Sequence, residues 1–149
     1  MRLDEIVPVL QLSVGPVIVI SGVGLLLLSM TNRYGRVIDR ARHVAEVLRR
    51  AAEGDERAAD LRLQIQVLVR RARLLKRSIT FAALSLLWAA LLIISLFVTG
   101  LTGFAGATVI TVFFIACMAS LIASLMVFIQ DLNLSLKALD FEVGSAPRE

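Results

Sequence analysis

Two stretches of this chain carry no charged residue: Ile6–Asn32, 27 positions, and Ser78–Gln130, 53 positions. About 20 consecutive apolar residues, rising 1.5 Å each as a helix, cross the hydrocarbon of a bilayer. The first run therefore holds one crossing and the second holds two. In lipid every backbone N–H and C=O must be satisfied internally, which leaves a helix as the form for such segments. At 58% hydrophobic residues and a mean hydropathy of +0.82, the composition lies far from that of a soluble domain.

Charge then orients the chain. Of the 16 basic residues 13 lie between Arg33 and Arg77, with 6 of the 12 acids. That segment is +7 (13 − 6) and the remainder −3 (3 − 6). Cytoplasmic loops hold the Lys/Arg excess, so the segment between the runs is expected inside. The expected fold is an all-α membrane protein of one domain, residues 1–149. It has three transmembrane helices (8–30, 78–99 and 107–130), a cytoplasmic antiparallel helical hairpin (33–77) between helices 1 and 2, and a tail (131–149). The start is acidic and its apolar run too long for a cleaved signal peptide. The N-terminus is accordingly placed outside and the C-terminus in the cytoplasm of an inner-membrane protein.

Helix 1 opens at Pro8 and contains Pro16, which removes a backbone donor that a membrane helix can do without. Gln11, Gly15, Gly22, Ser29 and Asn32 recur along one face, with Ile18 and Leu25 between them. Small residues let helices approach closely in lipid, so one reading is a packing seam. The other is a weakly polar pathway in an oligomer.

In the hairpin, Val37, Ala41, Val44, Leu48 and Ala51 form a stripe on the first arm. Arg42/Glu46 and Glu46/Arg50 are four apart, a spacing that contributes a few tenths of a kcal/mol per pair. Gly54 and Asp55 read as a helix stop and the next N-cap. The second arm carries Leu61, Ile65, Leu68, Ala72 and Leu75, a coiled-coil-like seam. It ends in Arg70, Arg71, Arg73, Lys76 and Arg77, a juxtamembrane basic cluster suited to anionic lipid head groups. No DNA-binding motif and no aromatic platform accompanies it, which argues against nucleic acid.

Beyond Arg77, glycines at 100, 103 and 106 divide the long run with a turn. Ser78, Ala82, Ser85 and Ala89 form a small-residue face on one side of it. Ala116, Ala119 and Ala123 form another, as do Ser120, Ser124 and Asp131. Trp88 is placed as a gap-filler between helices, and Cys117 as a small packing residue. Asp131 falls at the depth of Arg33 and Arg77, so an interfacial charge network of Arg33, Arg36, Asp39, Arg40 and Asp131 is expected. Within it Arg33 or Arg36 is to pair with Asp131. After a short amphipathic stretch (Leu132, Leu136, Leu139) the tail is expected to fray at its last six residues.

The chemistry of catalysis is not recognisable. The single histidine, His43, lies among arginines, and zinc needs three or four ligands. There is no nucleophile elbow, zinc-protease helix or phosphate-cradling glycine loop. No Asp, Glu, Lys, Arg or His falls within the spans, where proton relays and ion-coupled carriers usually place one. No enzyme, cofactor or metal is expected.

At the end of helix 1, an apolar stretch with internal Pro16 (then VIVISGVGLLLL) runs into TNRYGRVIDRAR. Basic RRARLLKR precedes the two later spans, and the acid Asp131 follows them. In these features the chain resembles a bacterial membrane family of unknown function (DUF2721). The resemblance implies a small multi-helix inner-membrane protein and attaches no activity to Asn32, Arg33, Arg36, Asp39 or Arg40. Three classes follow. One is a homo-oligomeric channel or pore lined on its symmetry axis by helix 1, with Gln11, Gly15, Gly22, Ser29 and Asn32. Another is a scaffold or regulatory subunit docking a protein through the hairpin. A transporter ranks last, since it lacks intramembrane charges and an inverted repeat.

Overall fold

The computed structural model describes residues 3–50, 56–102 and 106–144. They form three helices, α1 (Leu3–Arg50), α2 (Glu56–Thr102) and α3 (Ala107–Gly144). All three are long and apolar enough to cross a membrane.

The division of the chain into membrane spans and separate hairpin arms is corrected. α1 runs through the expected boundary at Asn32–Arg33 and α2 through Arg77–Ser78 without a break. The onset of charge marks where lipid could end, and it is not a helix stop. Between Met30 and Arg42 there is no proline, and a lone glycine (Gly35) costs only about 1 kcal/mol relative to alanine. The apolar phase also continues: Val23, Met30, Val37 and Val44 are all buried and stand seven residues apart. The same holds in α2 for Leu68, Leu75, Ala82 and Ala89. α3 likewise continues past Asp131 to Gly144, so much of the expected tail is helix. The Gly54–Asp55 stop and cap, Ala51 and the last five residues lie outside the described residues.

The chain divides into two compact units. The first comprises Met1–Ser29 and Ile79–Ser124. Its interior is made of small side chains: Ala82, Ser85, Ala89 and Cys117 are essentially inaccessible, with Val23 and Leu92 beside them. The Ser85 hydroxyl lies 3.5 Å from the Cys117 thiol, and Trp88 stacks on Phe113 at 5.8 Å between centroids. Trp88 and Cys117 thus fill the interhelical roles read from the sequence. Hydroxyls elsewhere in the unit turn back on their own helix, Ser95 donating to the Leu91 carbonyl and Thr111 to that of Ala107. This satisfies them without a partner helix. Large apolar side chains such as Leu25, Ile94 and Ile115 are more than half exposed, the distribution that a hydrocarbon solvent favours. Before α3, a Cβ at Gly106 would lie 2.5 Å from Thr99 Oγ1, so that close approach requires a glycine. The Gly106 carbonyl accepts the Ile110 N–H at 3.1 Å.

The second unit comprises Met30–Ser78 and Leu125–Glu149. Val37, Val44, Leu68 and Leu75 form its buried cluster, with Tyr34, Ala41, Leu61, Ile65, Ala72 and Phe128 packed around them. At its edge the Ser78 hydroxyl donates to the Met30 sulfur at 3.3 Å. The apolar stripes of the two expected arms therefore meet, and Phe128 of α3 joins them.

Candidate functional site

The stripe on α1 points away from the protein's own core. Gln11, Gly15, Gly22, Ser29 and Asn32 are all exposed, as are Ile18 and Leu25 between them. A Cβ at Gly15 or Gly22 would meet nothing within 4 Å. Packing against α2 or α3 does not explain Gly22, whereas Gly15 borders an apolar cavity that it shares with residues of both helices. The small face of α2 behaves otherwise: Ser78, Ala82, Ser85 and Ala89 are each at most 1% exposed. On α3, Ser124 and Asp131 are buried, Ser120, Ala116 and Ala123 are half-buried and Ala119 is exposed.

In the first unit Gly15, Pro16, Val19, Ala89, Leu92, Phe114, Cys117 and Met118 line an apolar cavity of about 220 Å³. It holds no charged or titratable group other than the Cys117 thiol, and it offers packing space and no chemistry.

The charges gather in the second unit. Asp131 is 1% exposed, and Arg71 Nε donates to its Oδ1 at 3.4 Å. Its Oδ2 has no hydrogen-bond partner. The expected partner was Arg33 or Arg36; the structure places Arg71 there. Arg33 instead lies over the Phe128 ring, 5.5 Å from its centroid. The reason is helical phase. Arg71 precedes buried Ser78 by seven residues and Asp131 follows buried Ser124 by seven, so both project from inward faces. Arg36 is exposed, and so are Asp39 and Arg40.

Arg33, Arg36 and Arg40 of α1 and Arg71 of α2 line a common open cavity of about 240 Å³, floored by Val37 and Leu68. Asp39 is not among its walls. This arrangement crosses the groupings read from the sequence. Arg71 is half-buried while Arg70, Arg73, Lys76 and Arg77 are exposed, and it lines a cavity with the arginines of the junction. The seven-residue spacing of Arg71, Ser78 and Ser85 was the available signal, and it went unread because Arg71 sits inside a basic run. Glu46 and Arg50 form a surface pair of the expected kind, at 2.5 Å and well exposed, a geometry that contributes little. Among the described residues no group of three or more His, Cys, Asp or Glu side chains comes together to hold a metal ion.

Three helices long and apolar enough to cross a membrane define the class of a multi-pass membrane protein. The model of the family described as protein of unknown function (DUF2721) matches residues 13–141, and the chain belongs to that family. No curated protein and no solved structure matches it.

Proposed function

We propose that this is a non-enzymatic bacterial inner-membrane protein that assembles with copies of itself. The stripe Gln11, Gly15, Gly22, Ser29 and Asn32 faces the symmetry axis and lines a conduit for ions. The observation that carries this reading is the empty space around Gly22. A glycine inside a helix costs about 1 kcal/mol relative to alanine, and nothing within the chain uses the room it leaves. A second copy would use it. Gly15, Gly22 and Ser29 stand seven apart, the interval of a helix–helix seam, and small residues at such a seam let backbones approach in lipid. Gln11 and Asn32 are better placed beside water or a polar neighbour than in hydrocarbon.

In lipid nanodiscs the protein should have the mass of an oligomer, and Gly22→Leu should reduce it to smaller species. Val17→Leu, on another face, should not. Planar-bilayer recordings should show conductance that Gly22→Leu removes. A monomeric wild-type protein would sink the proposal. An oligomer silent under every voltage and ion tested would leave the second reading, a scaffold or regulatory subunit docking a protein through its cytoplasmic segment. That reading is favoured by exposed Val47, Leu63, Val67 and Val69 among the charges of α1 and α2.

The orientation proposed is N-terminus out, with the Arg33–Arg77 segment and the C-terminus in the cytoplasm and Arg70, Arg73, Lys76 and Arg77 at anionic head groups. It is supported by the +7 charge of that segment and the positive-inside rule. Reporter fusions after Gly54 and at the C-terminus should both report cytoplasm. A Gly54 fusion reporting the outside would overturn the assignment.

A further inference from the structure

We propose that the cavity walled by Arg33, Arg36, Arg40 and Arg71 is a binding site for a phosphate-bearing anion. Four arginines from two helices line one concavity of about 240 Å³. That is below the roughly 300–1,000 Å³ of drug-sized ligand sites, which suits a group of headgroup size. On α1 the three arginines stand three and four residues apart. Like charges at that spacing destabilise a helix by a few tenths of a kcal/mol per pair, and an anion among them would reverse the sign of that interaction.

Two of the four are held in place by α3. Arg33 is stacked on Phe128, and Arg71 spends its Nε–H on the buried Asp131 carboxylate. Arginine carries five N–H donors, so this contact leaves the Nη groups of Arg71 for a ligand. Arg36 and Arg40 have no ion-pair partner among the described residues. Asp131 offsets one of the four positive charges, so the site keeps a formal surplus of three (4 − 1). Guanidinium forks match phosphate oxygens in a bidentate geometry that an ammonium lacks, and the cavity walls contain arginine and no lysine. The remaining wall, Val37 and Leu68, belongs to the buried apolar cluster and gives the arginines a firm base. The anion is either the phosphate of an anionic phospholipid or a free phosphate compound, and both present the same chemistry to these side chains.

The test uses the full chain and two charge-matched double variants. Arg36→Gln with Arg40→Gln removes cavity charges from exposed positions, and Arg42→Gln with Arg49→Gln removes two exposed charges outside it. One arm titrates inorganic phosphate into protein in a neutral detergent and reads thermal shift and calorimetry. The other reconstitutes the protein in phosphatidylcholine with or without phosphatidylglycerol and counts retained lipids by native mass spectrometry. Wild type and the outside variant should bind in at least one arm, with affinity reduced about tenfold or more in the cavity variant. Retention of phosphatidylglycerol without phosphate binding identifies the lipid headgroup; binding of inorganic phosphate identifies a free anion. Oligomer mass, measured on every sample, separates loss of binding from loss of assembly. Absence of binding in both arms overturns the proposal, as does equal loss in the two variants. So does binding of polyglutamate, and not of either phosphate probe, at the same arginines, which would make the ligand an acidic protein.

Discussion

Leu75→Ala is expected to lower the unfolding free energy of the protein in detergent by about 2–5 kcal/mol, the range for emptying a leucine-sized space in a packed interior. Leu75 has no accessible surface and sits in the cluster with Val37, Val44 and Leu68. Its loss removes contacts to both α1 and α2 neighbours at once, and long helices have little freedom to collapse into the space. Leu63→Ala makes the same chemical change on the same helix at a position 61% exposed. It should stay within about 0.5 kcal/mol of wild type. Leu68→Asp should also destabilise, through the leucine packing lost from the same cluster, while its carboxylate would lie beside the arginines of the cavity that Leu68 floors. Denaturant titrations followed by far-UV circular dichroism measure all three. Equal midpoints for Leu75→Ala and Leu63→Ala would mean that the cluster does not hold the second unit together.

The helices and their inward faces were legible because charge and apolar spacing act locally. Two charge-free runs separated by a basic segment already required three spans, and the stripe through Val37, Val44, Leu68 and Leu75 could be read from its interval alone. Element boundaries were not legible in the same way. At Asn32–Arg33 and Arg77–Ser78 the surroundings of the side chains change while the backbone hydrogen bonding of a helix does not, so polarity suggested breaks that the chain does not make. The small residues divided by the same logic. Ser78, Ala82, Ser85 and Ala89 are small because other helices press on them, and Gly22 is small although nothing in its own chain does. Sequence shows the size of a residue and its phase, and a partner only when two phases can be matched. For Arg71 that match existed, through Ser78 on its own helix and Ser124 on α3, but the surrounding basic run pointed to lipid head groups. The four-arginine cavity needed coordinates, since it depends on how far α2 is advanced along α1.

A double-mutant cycle on Arg71 and Asp131 should show coupling of about 1–3 kcal/mol, whereas the cycle on Arg33 and Asp131 should be additive within about 0.5 kcal/mol. Removing one member of a fully buried ion pair typically costs about 3–5 kcal/mol, because the other charge stays unpaired in low dielectric. Here the two partners are unequal. The Asp131 side chain is 1% exposed and that of Arg71 is 20% exposed, so Arg71 can reach water when Asp131 is absent and Asp131 cannot when Arg71 is absent. Arg71→Ala should therefore be the more destabilising single change. Asp131→Ala should cost less, and Arg71→Ala should become nearly harmless in the Asp131→Ala background. The orphaned Oδ2 of Asp131 adds to this asymmetry, since Arg71 Nε is the carboxylate's one donor among the described residues. If Arg71→Ala and Asp131→Ala prove additive while Arg33→Ala and Asp131→Ala do not, the carboxylate is held by α1, and the anchoring of Arg71 in the arginine cavity is lost with it.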